Sequence, residues 1–365
     1  MLFIMLFIRK DDGEVVNARQ NMLKAVRFER PDYIPMEFHI NASCWNAYPQ
    51  EELLELIESH PFLFPDFKRP ELPYIPEYAN VARKDQPYTD DWGCLWETTC
   101  DGITGTVIKH PLDDWEKFKS YRIPDPQKCM GIGNIDWEEE RKRIAGMKAD
   151  GKLTVAGLRH GHTFLQICDI RGYDNVLFDM QDEETLLPEL LDKIVEFNTY
   201  IIQQYLDMDV DIITYAEDLG MQIGPMLSPA NFKQYIMPCY QKMLKPAKEK
   251  GTMIHMHSDG DIRTLIPYLH ECGVQIFNLQ DQVNGISWIK ENLKGKVCID
   301  LDIDRQTITP FGTEKEIENL IAEEVKTLGS AQGGLSMIYG LYPGVPMKNV
   351  KALMDAMEKY AFYYD

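Results

Sequence analysis

The chain has 365 residues, 44% of them hydrophobic, and a formal net charge of −20, enough apolar content for a large core without disulfides. That acidity excludes a general nucleic-acid binder, whose target phosphates demand basic surface, and it disfavours a highly anionic substrate unless a local basic cluster offsets the field. Eight cysteines, at 44, 94, 100, 129, 168, 239, 272 and 298, include no CxxC pair, which excludes a zinc ribbon or a redox motif and reads as mostly buried thiols of a cytoplasmic protein.

The opening MLFIMLFIRK is apolar for eight residues and then basic. It is too short to span a bilayer and lacks the leading positive charge and small-residue cleavage site of a secretory signal. Residues 1–17 are therefore expected to be an N-terminal extension, and residues 18–365 a single domain with no membrane contact. YIPMEFH (33–39) reads as a first strand. Residues 41–150 are rich in proline and aromatics; PFLFPDFKRPELPYIPEY and DDWGCLWETTC suggest loops and a hairpin over one mouth of a barrel, and EEERKR (138–143) a solvated helix face.

From residue 150 strand-like runs alternate with helices: LTVAGLRH (153–160), DIITYAED (211–218), TMIHMH (252–257), QIFNLQ (275–280), VCIDLD (297–302) and LSMIYG (335–340). Ser228-Pro229 opens one helix and Gly251 follows its end. Asp261 precedes Ile262, Leu265, Ile266 and Leu269 at helical spacing, closed by Gly273. Thr313 and Glu316 form a capping-box pattern, and a last helix starts near Met347. Such alternation predicts a parallel sheet. No GxGxxG or Walker-type loop follows any strand, so nothing favours an open nucleotide-binding sheet. The expected fold is α/β, a (β/α)8 TIM barrel with a long insertion after the first strand.

Residues two apart share a strand face. If Ile254 and Met256 face the helices, His255 and His257 face the interior, with His257 nearest the C-terminal mouth. The same phase turns Glu37 and His39 inward, Asn278 and Gln280, and Cys298, Asp300 and Asp302. With Ile212 and Ala216 on the helix side, Tyr215 and Glu217 would also face inward, while Arg159 and His160 end the remaining polar-tipped strand. Polar groups at six strand ends mark the rim where barrel enzymes keep their sites. Individually each has a plainer reading. His255 suits a satisfied core histidine, one of Glu217 and Asp218 a cap, and Asp302 with Asp304 and Arg305 an internal ion cluster. The tail YAFYYD suits helix packing or a homodimer contact.

Several segments are similar to the uroporphyrinogen decarboxylase superfamily: NMLKAVRFERPDYIPMEF, DDWGCLWETTCDG, VIKHPLDDWEKFKSYRIPDP, DIRGYDNVLFDM, SPANFKQYIMP, HSDGDIRTLIPYLHECGV and GGLSMIYGLYPGVPMKNVKALMDAM, in order across residues 18–360. The resemblance implies a (β/α)8 barrel and leaves two chemistries. The porphyrinogen decarboxylases carry an arginine-bearing loop after the first strand; here MEFHINASCWN has no arginine, and a polycarboxylate would need one. The cobalamin-dependent methyltransferases pass methyl groups between a small substrate and a corrinoid on a partner protein. Their thiol-methylating members hold zinc through a His-x-Cys pair and a later cysteine. His257 falls on that histidine, but Asp259 and Leu341 fall on the cysteines, so thiolate-type coordination is not expected. HSDGD at 257–261 is what the resemblance implies for a methoxylated or methylamine-type donor.

The resulting expectation is a corrinoid-dependent methyltransferase with catalytic His257, Glu217 and Asp302, and with His39, Arg159, His160, Asp218, Gln280 and Arg305 around the substrate. Its partner would be a corrinoid-binding protein. Zinc, if bound, would sit on His257, Glu217 and Asp259. The alternatives are a decarboxylase or other lyase anchoring a small carboxylate on Arg159 or Arg305, and a binding barrel without turnover.

Overall fold

A computed structural model describes residues 7–9 and 15–364; the N-terminal extension expected over 1–17 lies largely outside the described residues. Seven strands form one parallel sheet: β1 Met36–Ile40, β2 Val155–Gly157, β3 Ile212–Ala216, β4 Met253–Ser258, β5 Ile276–Gln280, β6 Cys298–Asp302 and β7 Leu335–Leu341. Their order is β1-β7-β6-β5-β4-β3-β2. The last strand thus pairs with the first, and the sheet curls as a TIM barrel does. Among the described residues no eighth strand joins β1 to β2. The insertion lies at that seam instead: Leu63 shares a small cavity with Met36, Phe38 and Leu153, Phe64 packs on Phe38 with ring centroids 5.9 Å apart, and Asp66 pairs with Lys152 at 3.3 Å. The insertion also carries a three-stranded antiparallel sheet over Tyr88–Thr89, Leu95–Glu97 and Thr106–Lys109.

Strand register identifies the two faces. His257 lies opposite Ala216 on β3 and Asn278 on β5. Asn278 lies opposite Asp300, and Asp300 opposite Ser336. Gln280, Asp302, Ile338 and Glu37 make the next row, and Gly340 faces His39. Laterally paired residues share a face, so this is the barrel interior. The other face, with Tyr215, Ile254, Met256, Phe277, Leu279, Ile299 and Tyr339, is buried in the main core together with the helices. At the N-terminal end Leu23 and Val26 of α1 (Ala18–Arg27) close the barrel against Leu153, Ile212, Met253, Ile276 and Cys298.

Two sequence expectations change here. The phase expected for β3 is inverted, because Ile212 and Ala216 face inward and Tyr215 and Glu217 outward. Apart from Thr214 the inner face of the strand is apolar like the outer one, and α1 plugs the barrel there, so alternation carried no sign. The helix expected after Asp261 begins only at Ile266 (Ile266–Cys272, α5); Asp261 Oδ1 accepts the Arg263 N–H at 3.2 Å, and a turn closed by Leu265 N–H on the Ile262 carbonyl at 2.8 Å precedes the helix.

The other helix signals are physical caps. Gly251 and Gly273 adopt left-handed backbone angles after α4 (Met237–Lys250) and α5, and Thr313 and Glu316 form a reciprocal capping box on α6 (Glu314–Leu328). Two earlier helices matter below, α2 (Phe164–Arg171) and α3 (Leu186–Asp207); the chain ends on α7 (Met347–Ala361). Seven cysteines are buried free thiols and Cys100 is exposed. Among the described residues no helix is long and apolar enough to cross a membrane.

Candidate functional site at the barrel mouth

His257 is the centre of the polar group at the C-terminal rim. Its Nε2 lies 3.4 Å from Asp218 Oδ1 and 3.8 Å from Asp259 Oδ1. His160 brings its own Nε2 to the same Asp218 oxygen at 3.3 Å, with the two imidazole centroids 5.6 Å apart. Arg305 bridges Asp259 at 3.0 Å and Asp302 at 2.7 Å. Four loops therefore contribute, those following β2, β3, β4 and β6. The backbone N–H of Asp259 donates to Asp218 and that of Gly260 to Gln280 Oε1, both at 2.9 Å, which ties the β4 turn to its neighbours. A cleft of about 270 Å³ lined by Gln280, Asp302, Arg305, Gln222, Gln306 and Thr307 opens beside this group.

The electrostatics follow from burial set against pairing. Burial alone would lower the His257 pKa; the Asp218 hydrogen bond and the Asp259 and Asp218 charges outweigh it and raise the value to about 9. Burial pushes Asp302 up to about 7, against the pull of Arg305 and His257. For Asp218, burial is outweighed by hydrogen bonds from His160 and His257, which hold it well below the usual carboxylate range. An imidazolium held against the ionised Asp218 carboxylate results.

The expected residues thus divide. His257, Asp218, His160, Asp259, Asp302 and Arg305 come together, with Gln280 bonded to the same turn. His39, on β1 in register with Gly340, pairs with Glu37 at 3.2 Å. Arg159 is taken by Gln166 Oε1, at 3.0 Å from its Nε, and by Asp169 at 3.2 Å. Glu217 does not reach the group. It is wholly buried on the helix side, where Oε1 accepts the Thr163 and Leu165 N–H groups at the start of α2 (2.7 and 3.0 Å) and Oε2 accepts the Tyr240 hydroxyl at 2.5 Å. The inverted phase of β3 exchanges the expected roles of the neighbours: Asp218, one residue past Glu217, faces the mouth.

Two donor sets have ligand atoms within 4.8 Å of one another: His160, Asp218 and His257, and His257, Asp259 and Asp302. Glu217 belongs to neither. The sequence reading left Asn278 out of the site, although its phase put it on the His257 face; its amide oxygen lies 2.5 Å from His257 Nδ1.

The profile of the family described as uroporphyrinogen decarboxylase (URO-D) matches residues 97–360. Uroporphyrinogen decarboxylase of Trichlorobacter lovleyi is 20% identical over 267 residues, 71% of this chain and 74% of its own length. Its Geobacter sulfurreducens counterpart is 20% identical over 270 residues, with the same shares of the two chains covered. Among solved structures, a methyltransferase from Methanosarcina mazei superposes with a TM-score of 0.65 at 17% identity, covering 95% of this chain and 99% of that one; at this identity the likeness is one of fold.

Proposed function

The chain belongs to the uroporphyrinogen decarboxylase family, and within it we propose that it is a corrinoid-dependent methyltransferase acting on a small methoxylated or methylamine-type donor. One observation carries the choice over decarboxylation: the two arginines available to anchor a carboxylate are already bonded, Arg305 to Asp259 and Asp302 and Arg159 to Gln166 and Asp169. A carboxylated substrate would have to displace one of these pairs, and the loop after β1 offers no arginine.

Removing a methyl group from oxygen or nitrogen leaves a poor leaving group unless that atom gains a proton or a Lewis acid. His257 meets the first need, since with a pKa of about 9 it holds a proton at neutral pH. Asp218 and Asp259 orient the ring and stabilise its charge, and His160 fixes Asp218 from the other side. The corrinoid of a docked partner protein supplies the methyl-accepting centre.

Zinc fits the His160, Asp218 and His257 donors, two imidazoles and a carboxylate. Bound there, it would polarise the atom that loses its methyl group. Proton and metal compete for the same Nε2. Zinc content of the purified protein, lost in His160→Ala but kept in Asp302→Ala, would assign this donor set.

The functional test is incubation with reduced cobalamin and a panel of methoxylated and methylamino compounds, read as methylcobalamin absorbance. Methylcobalamin from at least one donor is expected. Release of carbon dioxide without corrinoid, and no methylcobalamin across the panel, would replace the proposal with a lyase.

A further inference from the structure

We propose that Asn278 is a positioning residue that determines which nitrogen of His257 faces the mouth. Asn278 is buried on β5, in register with His257. Its amide contacts the backbone carbonyl oxygen of Asp300 at 2.8 Å. A carbonyl oxygen only accepts, so the NH2 group must point there and Oδ1 must point at His257 Nδ1, 2.5 Å away. Oδ1 in turn only accepts, so Nδ1 carries a proton in the neutral ring as well as in the charged one.

Nε2 is then the variable atom, and it faces Asp218 and Asp259 oxygens at 3.4 and 3.8 Å. A bare lone pair against two carboxylates is repelled, so Nε2 holds a cation, either a proton or a metal ion. The support beneath Asn278 is itself fixed. The Asp300 carboxylate accepts the Ser336 hydroxyl at 2.7 Å and meets His255 Nε2 at 3.1 Å, and His255 Nδ1 lies 3.0 Å from the Thr214 hydroxyl. Four strands thus hold the carbonyl on which the amide leans.

The inference depends on the functional reading of His257 only for its effect on turnover; the tautomer is measured without it. The experiment is nitrogen-15 NMR of histidine-labelled, full-length, chelator-treated protein across a pH titration, beside methyl transfer to free cobalamin. In the wild type Nδ1 keeps its proton throughout and only Nε2 changes. Asn278→Leu removes the acceptor: the neutral ring moves toward the Nε2–H form and kcat falls at least tenfold with KM little changed. Asn278→Asp keeps an acceptor for Nδ1 but loses the donor to the Asp300 carbonyl, so it retains the tautomer and recovers kcat only in part. If Asn278→Leu does not fold, Asn278→Ser, whose hydroxyl is too short to reach Nδ1, gives the same readout. An Nδ1 proton retained without the acceptor overturns the proposal. A changed tautomer with unchanged turnover upholds the positioning and removes His257 from the chemistry.

Discussion

At the scale of single residues, the proposed chemistry depends on His257 carrying its proton at working pH. A proton donor is active while protonated, so methyl transfer by the metal-free site should decline as pH rises through about 9. Asp218→Asn keeps an acceptor oxygen for Nε2–H but removes one of the charges that raise this value, so the falling limb should move to lower pH by roughly one unit, read from a kcat/KM profile. The same shift links the proton to folding. Because the folded value lies above the ordinary imidazole value, its stabilisation is complete below about 6.5 and is lost as pH rises through about 9. Glu217 has the opposite character. Glu217→Leu deprives Thr163 N–H, Leu165 N–H and the Tyr240 hydroxyl of their acceptor, at about 1–3 kcal/mol for each group left unpaired. Thermal denaturation should show a Tm several degrees lower, with kcat per folded molecule within a few-fold of wild type; a lost kcat at unchanged Tm would return Glu217 to the chemistry.

At the scale of elements, the β4 turn and the hairpin after β3 work as one unit. Gly220–Met221 pairs with Gly224–Pro225, and Asp261 N–H donates to the Met221 carbonyl at 2.7 Å. Gly260 has φ of +79°, and a Cβ there would lie 2.2 Å from the Gly220 carbonyl carbon. Gly260→Ala should therefore pry the hairpin from the turn and shift Asp259 out of reach of Arg305, cutting turnover by tenfold or more while the far-UV circular dichroism stays that of the wild type. This tight contact was invisible in HSDGD, where the glycine reads as ordinary turn punctuation. Other parts were legible because a single local force decides them: the capping box at Thr313, the glycine ends of α4 and α5, and the inward histidines of β4, whose polar cost demanded partners. The faces of β3 were not legible, since apolar residues suit both the helix layer and the α1 plug. The start of α5 was displaced because Asp261 caps a turn rather than the helix itself, accepting the Arg263 N–H at 3.2 Å. Arg305 was weighed both as an anchor and as part of an ion cluster with Asp302, the pair that forms, whereas Arg159 meets its partners Gln166 and Asp169 only in the folded chain.

At the scale of the whole molecule, a net charge of −20 surrounds a mouth in which Asp218, Asp259 and Asp302 meet the cations of His257 and Arg305. Such a field concentrates cationic ligands and leaves neutral ones unaffected, and salt screens it over about 10 Å at 0.1 M. KM for a methylammonium donor should accordingly rise severalfold between 0.05 and 0.5 M salt, roughly as expected of an unscreened field losing its range, whereas KM for a neutral methoxylated donor should stay flat. Equal salt response for both would show that the acidic surface serves solubility alone.

The seam between β1 and β2 sets a rule for anyone shortening this protein. Among the described residues neither strand has a strand partner there, and Leu63, Phe64 and Asp66 meet Met36, Phe38, Lys152 and Leu153 instead. Excising residues 41–150 to leave a minimal enzyme would uncover the edges of both strands, each a template for sticking to a neighbouring molecule. The trimmed chain should precipitate rather than merely lose activity. What resembles an accessory loop region is, for this barrel, a stave.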